Sequence, residues 1–94
     1  MKFTIVGPNK VESDQGFGIW LQNPFQLHYY ECGKEVIVPG EMLSGATELL
    51  VSVSTVRRWI TPNETEFIDA PKREQIQANI ASALRFMGIE PEFD

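Results

Sequence analysis

The stretch from Asp69 to Gly88, DAPKREQIQANIASALRFMG, constrains this chain more than any other. Ile76, Ile80, Leu84 and Met87 recur at steps of four and three, so a helix places them on one face, with Ala83 beside them. Lys72, Arg73, Gln75, Gln77 and Arg85 fall largely off that face. Asp69 can cap the first amides, and Pro71 suits a first turn that has no use for its missing N–H. Gly88 suits a left-handed stop, and Pro91 blocks resumption. Everything before Asp69 has the texture of strands and turns. The helix is expected to be the lid on a sheet.

That sheet can be sketched from alternation and breakers. Phe3 to Val6 is a short strand, turned by Gly7-Pro8-Asn9. Lys10 to Ser13 is a second, and Phe17 to Leu21 a third, with Phe17, Ile19 and Leu21 on one side and Gly18 and Trp20 on the other. Asn23-Pro24 breaks it. The best hairpin follows, with Cys32-Gly33 as a two-residue loop. Its register pairs Glu31 with Lys34, Tyr30 with Glu35, Tyr29 with Val36, His28 with Ile37 and Leu27 with Val38. Phe25, Leu27, Tyr29, Val36 and Val38 then share a core face, and His28, Tyr30, Glu35 and Ile37 the other. A slip of one residue would scramble that separation. Pro39-Gly40 is expected to end the second strand and Glu41 to Ala46 to be a loop. Thr47 to Val53 is a strand with Leu49, Val51 and Val53 on one side. Val56 to Ile60 is a further strand, Ser54-Thr55 being either a turn or a bulge within it. Thr61 to Glu64 is a turn, Glu66 to Ile68 a lead-in to the helix, and Ile89 to Asp94 a short tail.

The architecture that follows is one α+β domain spanning residues 1–94. It is an antiparallel twisted sheet of five to seven strands with one C-terminal helix packed on one face. A helix of about 18 residues spans roughly 27 Å, enough to cross a sheet but not to cover both faces.

Composition narrows the function classes. The 8 basic and 13 acidic residues leave a net charge of −5 with no basic run, which argues against nucleic-acid binding and favours a basic partner. No apolar stretch is long enough to cross a membrane. Cys32 is the single cysteine, so no internal disulfide forms and a reducing, cytoplasmic setting is expected.

His28 and Cys32 invite a nucleophile reading. Four residues along one strand separate them by roughly 13 Å, and no oxyanion loop accompanies them. One His, one Cys and scattered carboxylates match no metal-ligand spacing. Gly16-Phe17-Gly18 is too short for a phosphate loop and marks a bulge or a close approach. The sequence thus points to a protein that is not an enzyme and uses no cofactor or metal.

The informative residues are aromatic. Trp20, Tyr30 and Trp59, joined by His28, Ile37, Leu50 and Arg57, are expected on the face away from the helix. A face that met only water would be polar. Trp, Tyr and Arg are the types that anchor interfaces. The reading is a partner-binding face of Trp20, His28, Tyr30, Ile37 and Trp59, with Glu31, Glu35 and Glu48 drawing in a basic partner. The competing reading curls the sheet until these rings form a second small core. Arg57 and Arg58 are adjacent on a strand, point opposite ways and form no joint anion clamp; a solvated ion pair or a cation–π contact with a tryptophan suits them better.

Several segments together carry a resemblance. Tyr30-Glu31-Cys32-Gly33-Lys34, then Val36-Ile37-Val38-Pro39-Gly40-Glu41, then Val56-Arg57-Arg58-Trp59 with Pro62, and the helix with Ile76, Ile80, Leu84 and Gly88 resemble a small bacterial immunity-protein family of polymorphic toxin systems, family seventy-four in the usual numbering. The match covers about the last two-thirds of the chain. The resemblance implies a cytoplasmic, non-enzymatic protein that binds and neutralises a cognate toxin, and it carries over no catalytic residue. The second reading is a self-associating structural protein, a homodimer through the aromatic sheet face.

Overall fold

In the computed structural model, which describes residues 1–23, 25–43, 48–60 and 66–93, the hairpin sets the frame. β4 (Gln26–Glu31) and β5 (Lys34–Met42) pair in the register expected, from Glu31 opposite Lys34 to Leu27 opposite Val38. Cys32 and Gly33 both take positive φ, 50° and 76°, as the tight two-residue loop demands. β1 (Phe3–Gly7), β2 (Lys10–Ser13) and β3 (Phe17–Asn23) add as an antiparallel meander. β6 (Glu48–Val51) joins the far side of β5, and β7 (Glu90–Phe93) closes the series. The result is one curled sheet of seven strands in the order β1 to β7, antiparallel except for the last pair.

Helix α1 (Ala70–Phe86) lies on the concave face. The Asp69 carboxylate accepts from the Lys72 amide at 2.9 Å, and Pro71 occupies the first turn. At the other end Gly88 takes φ 83°, its N–H donates to the Arg85 carbonyl, and the Ile89 N–H donates to that of Leu84. That pair of bonds is a Schellman stop. Ile76, Ile80, Ala83 and Leu84 are fully buried, and Met87 packs at the rim. Their sheet partners are Val11, Phe17, Ile19, Leu27, Tyr29, Val36, Val38, Leu49 and Val51. No described helix is long and apolar enough to cross a membrane.

Four expectations are corrected. Pro39-Gly40 does not end β5. Pairing passes there from β4 to β6, where a residue without an N–H can be placed, and the strand runs on through Glu41 and Met42. The tail beyond Ile89 is a strand, β7, lying parallel to β6. Phe25 is 66% exposed, because it sits in the turn before β4 rather than in the ladder. Val56 to Ile60 is not a strand. Val53–Thr55 forms a 3-10 turn, and a single bridge between Arg58 and Phe67 follows. The Asn23-Pro24 break, the loop through Ala46 and the turn at Thr61 to Glu64 lie wholly or partly outside the described residues.

Candidate functional site

The convex face is built from two cross-strand rows. Lys10, Trp20, His28 and Ile37 are successive partners on β2 to β5, and so are Glu12, Gly18, Tyr30 and Glu35 in the neighbouring row. Four of the five expected binding residues, Trp20, His28, Tyr30 and Ile37, therefore share one surface.

Gly18 decides how that surface is shaped. It has no side chain, and the Tyr30 ring lies across it: a Cβ there would stand 2.5 Å from the ring carbon Cζ. By crossing β3 the phenol reaches β2, where its hydroxyl donates to Glu12 Oε2 at 2.9 Å. Lys10 Nζ sits 5.6 Å above the same ring. Burial, then the Glu12 carboxylate, pushes the Tyr30 phenol well above its ordinary range. This is the close approach expected of the Gly16–Gly18 stretch, and it falls at Gly18.

In the other row, Trp20 is 37% exposed and rests on the His28 ring, centroids 4.8 Å apart. His28 is held on both sides, Nδ1 at 2.8 Å from Glu35 Oε2 and Nε2 at 2.7 Å from Gln22 Oε1. With both ring nitrogens engaged and Cys32 in the exposed hairpin loop, the two residues form no nucleophile–base pair. Lys10, Trp20, His28, Tyr30, Gly33, Lys34 and Glu35 border a shallow hollow of about 280 Å³. Its floor is aromatic and its rim carries both signs of charge.

Trp59 is not on this surface. It is 2% exposed and stacks on Tyr29 in the main core, ring centroids 6.4 Å apart and planes 28° apart. The outer face is expected from alternation within a Val56 to Ile60 strand; no such strand forms after the 3-10 turn, and Val56 and Trp59, three residues apart, are both buried. The cation over the indole is Lys34, at 5.7 Å, held by Glu66, and neither arginine. Arg57 turns its guanidinium onto the carbonyls of Ser54 and Val56.

Glu31 also leaves the expected set. It faces the helix, where Tyr29 donates to it at 2.6 Å and Lys72 at 2.9 Å, and Asn79 donates to the same tyrosine. Burial raises the Glu31 carboxyl, but the bonds from Tyr29 and Lys72 outweigh it and hold it below its ordinary value. Of the expected acids, Glu35 lies on the convex side, and Glu48 borders a hollow with Arg85, Gly88 and Glu90 at the end of the helix.

The residues that sequence reasoning passed over are Glu12, Lys10 and Gln22. The signal that could have found them is Gly18. A strand glycine sharing a face with Trp20 marks a place where a neighbouring ring lies flat. No protein-family model matches the chain, and neither a curated protein nor a solved structure matches it.

Proposed function

We propose that this chain is a non-enzymatic protein-binding module that presents the convex face of its sheet to a partner. The partner is a basic toxin domain, neutralised as the resemblance to the immunity-protein family implies. One observation carries the reading. Trp20 stands more than a third exposed on a surface whose other members are already fixed by Gln22, Glu35, Glu12 and Lys10. A large ring on a rigid, polar-rimmed platform needs little ordering to bind, and such anchors dominate interface energies. His28, Tyr30 and Ile37 supply the surround. Glu35 on this face, with the net charge of −5 of the whole chain, adds negative potential that would speed encounter with a basic surface. The exposed Cys32 suits a cytoplasmic setting.

The test is binding to a basic toxin domain, taken from the adjacent gene where that gene encodes one, measured by surface plasmon resonance at low and high salt. Trp20→Ala should weaken binding by about thirty-fold, about 2 kcal/mol, with the variant still folded. The association rate of the wild type should fall with salt. A folded Trp20→Ala that binds as tightly as wild type would overturn the assignment of this face.

A further inference from the structure

The sheet has two edges, and they are finished differently. β7 reads Glu-Pro-Glu-Phe. Pro91 has no N–H to offer a further strand, and Glu90 and Glu92 set charge along it. Natural sheets use these devices to keep an open edge from recruiting another chain. β1 reads Phe-Thr-Ile-Val-Gly, with no charge and no proline. Among the described residues nothing pairs with its outer side.

The groups on that side can be assigned. The Lys2 carbonyl accepts from the Asp14 amide at 2.9 Å, toward β2. Alternation then turns Lys2 and Thr4 toward β2 and the N–H and C=O groups of Phe3 and Ile5 outward. The side chains agree. Ile5 continues a row whose next members, Val11, Ile19 and Tyr29, are all buried, yet Ile5 is 71% exposed. Beside it Phe86 is 49% and Val6 45% exposed, and Ile5, Phe86 and Met87 border a hollow of about 240 Å³.

We propose that β1 is a dimerisation edge, and that its occupant is the β1 strand of a second copy, antiparallel about a two-fold axis at Thr4. In that register Phe3 of each copy faces Ile5 of the other. The outward main-chain groups meet as hydrogen-bonded pairs, and two curled sheets become one continuous sheet. The patch suits its own copy: β1 itself carries no charge for a foreign strand to read, its side chains other than Thr4 are apolar, and a two-fold contact closes after two chains. Complete burial of the exposed parts of Met1, Ile5, Val6 and Phe86, with the edge backbone, sets an upper limit of roughly 500 Å² per chain. A pair would bury at most on the order of 1,000 Å², the lower bound of a specific interface, so the dimer is weak. Regular pairing also stops at the irregularity between Ile5 and Gly7, which keeps the contact short. Each chain carries −5, so added salt should strengthen this contact while it slows encounter with a basic partner. The convex face stays open in the dimer, and the proposal stands apart from what that face binds.

Light scattering and sedimentation from micromolar to millimolar chain should show a mass rising from 10.7 kDa toward twice that value. The Phe3 and Ile5 amides should become slower to exchange hydrogen as concentration rises. Ile5→Lys, at an exposed position, should keep its melting temperature and remain a monomer throughout. A wild type that is monomeric at millimolar concentration overturns the proposal. So does a dimer that persists in Ile5→Lys, or one that Trp20→Ala dissolves. The exchange measurement needs no variant, and equal exchange of both amides at the two concentrations overturns the edge pairing by itself.

Discussion

Replacing Gly18 by alanine puts one methyl where the convex surface has no room for it. The new Cβ would stand 2.5 Å from Tyr30 Cζ and Oη and 2.7 Å from Cε2, whereas ordinary contact begins at 3.4 Å, so the ring must retreat by roughly 1 Å. The β3 backbone is held by ladders on both sides and cannot yield, but the free end of Tyr30 can. The phenol should swing off β3, leaving Glu12 and uncovering Lys10. An exposed hydrogen bond and an exposed cation–π contact are each worth about 0.5–1.5 kcal/mol. Exchanging a strand glycine for alanine returns about 0.5–1 kcal/mol. The net loss is about 1 kcal/mol, a fall in Tm of about 4–8 °C for a domain this size.

The decisive assay is the absorbance titration of the phenols, of which there are two. In the wild type both titrate above the ordinary value of 10.0, Tyr30 through burial and then Glu12, Tyr29 through burial and then Glu31. In Gly18→Ala one phenol should return toward 10.0 while the other stays high. A raised phenol stabilises the fold fully below pH 10.0, and that contribution is lost as pH rises through the folded value. The wild type should therefore lose stability more steeply than the variant on the alkaline side. If both phenols titrate as in the wild type and Tm is unchanged, Tyr30 is not locked over Gly18.

Two further perturbations separate core from surface and sheet from helix. Trp59→Ala should cost about 3–5 kcal/mol and Ile80→Ala about 2–5 kcal/mol in denaturant unfolding, against less than about 1 kcal/mol for Trp20→Ala; equal costs for the two tryptophans would contradict their placement. Glu31 has its carboxyl held below the ordinary value of 4.5, so its contribution is complete above pH 4.5 and is lost as pH falls through the lowered value. Glu31→Gln should flatten that acid limb, and an acid unfolding curve with the wild-type slope would show that the Tyr29–Glu31–Lys72 cluster is not responsible.

Where local chemistry fixes geometry, the residues were readable. The β4–β5 register follows from alternation on both sides of a loop that only Cys32-Gly33 can close, and α1 follows from Asp69, Pro71, Gly88 and the spacing of Ile76, Ile80 and Leu84. Alternation fails once a strand stops. Val56 to Ile60 follows a 3-10 turn and pairs only through a single bridge at Arg58, so Val56 and Trp59 are both buried and the outer face that a strand there predicts for Trp59 does not exist. β7 was hidden for a different reason. Glu-Pro-Glu-Phe alternates, but over four residues only, with a proline and no β-branched residue, and it becomes a strand because β6 offers it an edge. On the candidate surface the rings were legible as types on faces. The contacts that hold them were not, because Glu12 reaches Tyr30 across a strand and Asn79 reaches Tyr29 across the whole sheet-to-helix interface.

The strand order has a consequence for how the chain acquires this shape. From β1 to β6 every neighbour in space is the next strand in sequence, so each pairing closes a short loop and can form as soon as its two strands exist. The β6–β7 pair is the exception. It is parallel, and the 3-10 turn and all of α1 lie between its two strands. That step carries the largest loop-closure cost and needs the helix in place. The meander should therefore assemble first, with β6 left as an open edge until α1 docks and β7 arrives to cover it. During that interval Leu49 and Val51, fully buried at the end, have a bare ladder beside them. Variants that slow helix docking, such as Ile80→Ala, would lengthen it, and the aggregation they cause should begin at β6.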